Sequence, residues 1–221
     1  VIILATLAID PETVTKAVQE AKKKSKDRKF TQSIDLTINL KEIDMTKPEN
    51  RIDEELVLPN GTGKPVKVGV IADGELALQS KNIVDIVIKK DELEELAKNK
   101  KKAKKIANDI DFFVAQIDMM PLIGKSIGPV LGPRGKMPKP IPPNAPVKSI
   151  VERLKKTIRI KTKDQPVVKV LAGTDEMDSK KLTENIDAIL KFVERKLERG
   201  QNNMKSIYIK TTMGQSVKVG A

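Results

Sequence analysis

The chain has 221 residues, 33% of them charged, and a formal net charge of +12. That length builds one large domain or two modest ones, and that charge points first to a phosphate-rich partner and second to an anionic membrane surface. The absence of cysteine and histidine excludes disulfides, thiolate chemistry and the usual transition-metal sites, and it removes the commonest general base.

The opening Val1-Ile2-Ile3-Leu4 reads as a short apolar segment, too brief for a signal-peptide core, and no apolar run approaches the length of a membrane span. Asp10-Pro11-Glu12 predicts a helix start, with Asp10 as the capping carboxylate. Val14, Ala17, Val18 and Ala21 follow at helical spacing, and the helix runs out in the lysines between Lys22 and Lys29. From Phe30 the period becomes strict alternation. Ile34, Leu36, Ile38 and Leu40 face one way; Ser33, Asp35, Thr37 and Asn39 face the other. That second row is either a solvated face built from good strand formers or a line of short hydrogen-bonding groups for a ligand.

Asn60-Gly61-Thr62-Gly63-Lys64-Pro65 marks a boundary. Beyond it strands are predicted over Val66–Ile71, Ile83–Ile88 and Ile110–Gln116, with helices over Glu75–Ser80 and Asp91–Asn108, the latter with acids first and lysines last. This alternation predicts parallel strands with crossover helices. Residues 119–151 then contain no acid, but hold Lys125, Arg134, Lys136, Lys139 and Lys148 among glycines and prolines, a composition read as irregular backbone suited to an anion. A helix from Val147 to Lys156 follows. Next come Ile158 and Ile160, paired in a hairpin with Val167–Leu171 through a turn at Lys163-Asp164-Gln165-Pro166. A long helix carries Leu182, Ile186, Ile189, Leu190, Val193 and Leu197, closed by Gly200. A last strand, Ser206–Thr211, ends in Thr212-Met213-Gly214.

Three features carry candidate chemistry. Gly124-Lys125-Ser126 looks like the end of a phosphate-cradling loop, but Met119 stands where that motif needs its first glycine. The lysines from Lys98 to Lys105 read as the solvated side of a helix. Those from Lys22 to Lys29 lead directly into the polar-faced strand, where cations and hydroxyls together suit phosphate and ribose. With only Phe30, Phe112, Phe113, Phe192 and Tyr208 as aromatics, stacking on many bases is not the mode of recognition.

The segments KFTQSIDL (Lys29 to Leu36), LGPRGKMPKP (Leu131 to Pro140) and TTMG (Thr211 to Gly214) occur in an order and spacing that resemble the L1 family of ribosomal proteins, in its archaeal form. The resemblance implies an α/β architecture of two domains joined by two connections. Residues 1–63 and 158–221 would build an α+β RNA-binding domain, and 64–157 an inserted Rossmann-like α/β domain. It implies a structural role in the large ribosomal subunit, binding large-subunit ribosomal RNA at the mobile stalk beside the tRNA exit site. A second role as repressor of the chain's own messenger RNA is also implied. The chain would be cytoplasmic and ribosome-bound, a monomer when free, without cofactor, metal, membrane attachment or catalysis. Carried over by position, the RNA-binding residues are Lys29, Phe30, Ser33, Asp35, Ser206, Thr212, Met213 and Gly214, with Thr31 and Thr37 beside them. Gln215 stands where the family usually has proline, which loosens that turn. The competing readings are a nucleotide-binding phosphotransferase on the middle domain and a basic protein that coats any nucleic acid.

Overall fold

The structure, a computed structural model, describes residues 10–219 except Asp27, Asn144, Lys163 and Asp164. The opening apolar segment and two residues of the expected hairpin turn lie outside the described residues. The chain divides into two units: the segment up to Lys64 together with the segment from Lys156 onward, and Pro65–Lys155 between them.

The first unit begins with helix α1 (Pro11–Lys23), whose buried stripe is Val14, Ala17, Val18 and Ala21. Its expected carboxylate cap is not made. Asp10 contributes its backbone carbonyl instead, which accepts from the N–H groups of Thr13 and Val14. Strand β1 (Ser33–Leu40) alternates without a break, burying Ile34, Leu36, Ile38 and Leu40. Strand β2 (Asp53–Val57) follows; its run of acids hid it from the sequence reading. The chain leaves this unit through Gly63, at φ +71°, where a Cβ would lie 2.6 Å from Thr174 Oγ1. Both the left-handed backbone and the close approach require glycine there.

The second unit is a parallel sheet with helices on both faces. Its elements in order are β3 (Val68–Ile71), α2 (Gly74–Ser80), β4 (Ile86–Ile88), α3 (Lys90–Lys98), α4 (Lys100–Asp109), β5 (Phe112–Gln116), α5 (Met120–Ser126), α6 (Gly128–Leu131), β6 (Lys139–Ile141) and α7 (Val147–Lys155). The strand order is β4-β3-β5-β6, every pair parallel. β3 is buried on both faces, as a central parallel strand must be. Val68 and Val70 pack with Leu76, Val147 and Val151 on one side; Ile71 packs with Leu93, Ile123 and Leu131 on the other.

Two expectations need correction here. The predicted helix over Asp91–Asn108 is two helices, broken at Asn99, whose side chain accepts from Lys102 N–H at 3.2 Å and caps the second. Lys100, Lys101 and Lys102 therefore sit in a first helical turn, against the dipole rather than with it. The acid-free stretch, expected to be irregular, holds α5, α6 and a 3-10 turn (Gly132–Arg134). Three of its prolines fit these elements: Pro121, Pro129 and Pro133 each stand second in their element, within the first turn, where no N–H is needed. Two of its cations are held by groups of the protein. Lys136 Nζ donates to the carbonyls of Ala107 and Ile110 at 2.9 and 2.6 Å, at the C-terminal end of α4. Arg134 donates to Val130 O at 2.9 Å and to Asn108 Oδ1 at 3.2 Å. The last turn of α4 has no basic residue of its own, so Lys136 supplies its closing cation from a distant loop.

The chain returns to the first unit through β7 (Thr157–Lys161), β8 (Val167–Thr174), α8 (Ser179–Lys196), β9 (Met204–Thr211) and β10 (Val217–Val219). The expected hairpin of β7 with β8 is not the hydrogen-bonded pairing found. β7 pairs with β2, and β8 pairs with β1. The charges on β2 find partners there: Arg159 clasps Asp53 through two bonds of 2.6 and 2.8 Å, with Lys161 3.3 Å away. The main sheet runs β10-β9-β1-β8, all antiparallel. α1 and α8 cover one face, with Leu182, Ile186, Ile189 and Val193 of α8 packed in the same core as Ile34, Leu36, Ile207 and Ile209. Asn185, fully buried on α8, donates to the carbonyls of Gly61 and Ala172 and accepts from Asn60 N–H, which fixes the exit turn to the helix.

Two outcomes follow for stability. Lys136→Met is expected to lower unfolding free energy by about 1–3 kcal/mol, because two helix-end carbonyls lose a charged donor, read by urea or thermal denaturation. The Arg159 guanidinium holds the Asp53 carboxyl below its usual range. Its contribution is present above about pH 3.9 and is lost as pH falls through the lower folded value. Asp53→Asn is expected to cost no more than about 1 kcal/mol near neutrality, since the pair is partly exposed. The gap from wild type should close on acidification through that window.

Candidate nucleic-acid interface

The face of the four-stranded sheet opposite α1 and α8 carries the polar row anticipated for β1. Ser33, Asp35, Thr37 and Asn39 are half-buried there, alternating with the buried Ile34, Leu36, Ile38 and Leu40. Antiparallel register sets their neighbours, since residues directly opposite share a face. Thr37 lies between Lys169 of β8 and Tyr208 of β9; Asp35 lies between Leu171 and Lys210; Asn39 lies between Val167 and Ser206. Asn39 Nδ2 donates to Ser206 Oγ at 2.9 Å.

At one end of this face the start of β1 is joined to the turn after β9. Ser33 N–H donates to Thr212 Oγ1 at 2.9 Å, and Thr212 N–H donates to Ser33 O at 3.0 Å. Phe30 and Met213 are large apolar side chains left 53% and 61% exposed, and both flank this joint in sequence. Thr31 is exposed, but its hydroxyl donates to Glu176 Oε1 at 2.6 Å; it serves the protein first. Thr212 is likewise engaged with the Ser33 backbone, although it stays exposed at the surface.

The residue that organises this end is Gln32, which the sequence reading passed over. It is 3% exposed. Its amide nitrogen donates to Ser25 Oγ and Lys26 O, its amide oxygen accepts from Met213 N–H, and its backbone exchanges bonds with Asp175. One side chain thus ties the end of α1 to the turn after β9, while its backbone holds the turn after β8. The signal was present: Gln32 shares the buried parity of Ile34 and Leu36, and a polar residue in a buried register must have partners. Gly214 has a local reason as well. A Cβ there would collide with Thr211 Oγ1, itself bonded to Ser25 Oγ at 3.1 Å.

Beside the joint lies a cleft of about 550 Å³ whose lining includes Lys22, Lys26, Arg28, Lys29 and Phe30 together with Asp175 and Glu176. Lys29 is exposed at its rim. Lys22 is partly desolvated, which lowers its pKa, with Asp175 and Asp178 opposing that shift; its ammonium donates to Met177 O. Among the described residues no group of three or more acidic side chains is placed to hold a metal ion, and no helix is long and apolar enough to cross a membrane. The sequence reading also missed Lys169, Tyr208, Lys210 and Lys218 on the open face. Tyr208 and Lys210 were legible from their alternation with the buried Ile207 and Ile209.

The sequence pattern of the Ribosomal protein L1p/L10e family matches residues 18–215. The large ribosomal subunit protein uL1 of Methanothermobacter thermautotrophicus is 57% identical over 209 residues, covering 94% of this chain and 99% of that protein. The protein of the same name from Methanothermococcus thermolithotrophicus is 57% identical over 211 residues, 96% of this chain and 99% of its own length. That from Methanocaldococcus jannaschii is 52% identical over 211 residues, 96% of each.

Gln32→Leu keeps the bulk but removes the amide, leaving Met213 N–H and Ser25 Oγ without this partner. The expected result is a loss of about 1–3 kcal/mol in stability and faster amide exchange at Met213 and Gly214, measured by hydrogen–deuterium exchange. Unchanged exchange at those two amides would show that the turn is held by other contacts.

Proposed function

The chain belongs to the ribosomal protein L1p/L10e family, and from that premise we propose that it is a constituent of the large ribosomal subunit. In this reading it binds large-subunit ribosomal RNA through the first unit. Lys26, Arg28 and Lys29 attract phosphates, a term that weakens with salt. Ser33, Asp35, Thr37 and Ser206 offer short, directional hydrogen bonds to ribose hydroxyls and backbone. Phe30 and Met213 supply apolar contact beside the joint. The observation that carries the proposal is the direct bonding of Ser33 to Thr212, which joins residues from the two ends of the chain at one end of the sheet. The finer proposals are contact at the mobile stalk beside the tRNA exit site, and repression of the chain's own messenger RNA through a similarly folded segment. Both rest on the family resemblance, with the chain a monomer when free.

A phosphotransferase reading has little to support it. Gly124-Lys125-Ser126 forms the C-terminal end of α5, whereas a phosphate-binding loop must open a helix at its positive end. The hollow of about 490 Å³ at the ends of β3, β4 and β5 carries Asp73 and Asp118 beside Lys90 and Lys125, and the two carboxylates disfavour a polyphosphate there.

Thr212→Val removes the acceptor that holds Ser33 N–H. It is expected to weaken binding to large-subunit ribosomal RNA by about 1–3 kcal/mol, roughly 5- to 150-fold. Replacing two of Lys100, Lys101 and Lys102, which are exposed on α4, should cost much less. Filter binding with excess unrelated RNA at physiological salt measures both. Equal affinity of Thr212→Val and wild type would count against the interface, and displacement of the ribosomal RNA by the unrelated competitor would favour a nonspecific coat.

A further inference from the structure

One register line of the open face crosses all four strands. Lys169 on β8 faces Thr37 on β1, Thr37 faces Tyr208 on β9, and Tyr208 faces Lys218 on β10. Two exposed cations therefore close the ends of a transverse row whose middle is a pair of hydroxyls, both half-buried. Strand spacing sets the row's length at about 14 Å between its outer backbones. Among the described residues neither the Thr37 hydroxyl nor the Tyr208 hydroxyl has a hydrogen-bond partner, so both remain available. The adjacent line, Leu171, Asp35 and Lys210, adds a third lysine and one carboxylate acceptor.

The geometry points to this row as a continuation of the proposed RNA contact onto the edge strands β8 and β10, taking one RNA strand whose sugar–phosphate backbone crosses the sheet transversely. Lys169 and Lys218 pair with phosphates on either side, and Thr37 and Tyr208 bond ribose 2′-hydroxyls between them. Charge argues for the occupant: three lysines against one carboxylate suit a polyanion. The hydroxyls argue for RNA over DNA, because the 2′-hydroxyl both donates and accepts. A single tyrosine, flanked by Thr37 and Lys218, argues for backbone contact rather than a stacking platform. This inference rests on the RNA-binding reading above and extends the contact across the sheet to its two edge strands.

The test uses the full chain and large-subunit ribosomal RNA, with a 2′-deoxy-substituted transcript of the same sequence as comparison. The double variant Lys169→Ser/Lys218→Ser should flatten the dependence of log affinity on log salt by about 0.7–0.9 per lysine. Thr37→Val/Tyr208→Phe should weaken binding to RNA several-fold and leave the deoxy transcript unaffected. Circular dichroism confirms that each variant is folded. An unchanged salt slope, or equal losses on both transcripts, overturns the row. If Thr212→Val still weakens binding in that case, the row alone fails; if wild type shows no saturable binding to the ribosomal RNA, the underlying reading fails with it. Binding of an acidic protein that survives the lysine replacements would likewise count against a polyanion site here.

Discussion

The pairing of β1 with β9 is the constraint on which the first unit depends. These strands come from opposite ends of the chain and sit side by side at the centre of the sheet. Their register does two things at once. It stacks Leu36 and Ile38 with Ile207 and Ile209 against the helices, and it sets Asp35, Thr37 and Asn39 beside Lys210, Tyr208 and Ser206 on the opposite face. A slip of one residue would exchange the two faces, so the burial that stabilises the sheet also specifies which polar groups meet. The inserted unit lies in sequence between the partners. Holding them together across that separation falls to the sheet, to Asn185 at the exit turn and to Gln32 at the other end.

The inserted unit shows why a conspicuous motif need not be a contact site. Cations without acids in the basic stretch suggest an anion. Arg134 and Lys136 instead meet backbone carbonyls, which are fixed partial negative charges. Part of the glycine and proline content serves the same packing: Pro121, Pro129 and Pro133 lie in the first turns of short helical elements, and Gly135 at φ +65° turns the chain so that Lys136 reaches α4. The need for cations arises within the chain, because α4 begins with three lysines and ends in Asn108-Asp109. Its own charges run against its dipole at both ends.

The fold was largely legible where period and punctuation agreed. Strict alternation over β1, the buried stripe of α8 and the strand–helix rhythm of the middle all appear where expected, and the parallel pairing followed from that rhythm. What escaped was set by contacts that no local pattern encodes. The partners of β7 and β8 are chosen across the sheet, not by their adjacency in sequence. β2 reads as Asp-Glu-Glu-Leu-Val and becomes a strand because Arg159 and Lys161 neutralise it from β7. The break at Asn99 hid inside a lysine run that satisfies any helical pattern. At the candidate interface, the outward residues of β1 and the Thr212-Met213-Gly214 turn were found from alternation and resemblance. Gln32 was missed because its role lies in joining segments far apart in sequence.

The two kinds of polar group on the open face have different physical capacities, and their placement follows from that. Threonine, serine and asparagine have short side chains with few rotamers, and β-branching stiffens threonine further. Placed at the middle of a sheet, they hold a donor or acceptor within a narrow range of positions at little entropic cost. Lysine is long, mobile and effective at a distance, but it fixes no geometry. The face puts Thr37, Asn39 and Ser206 on the central strands β1 and β9, and Lys169 and Lys218 on the edge strands β8 and β10. Long-range attraction is thus delegated to the periphery and directional bonding to the centre. Reversing that arrangement would crowd ammonium groups together and leave the hydroxyls at the edges, where backbone motion blurs their positions.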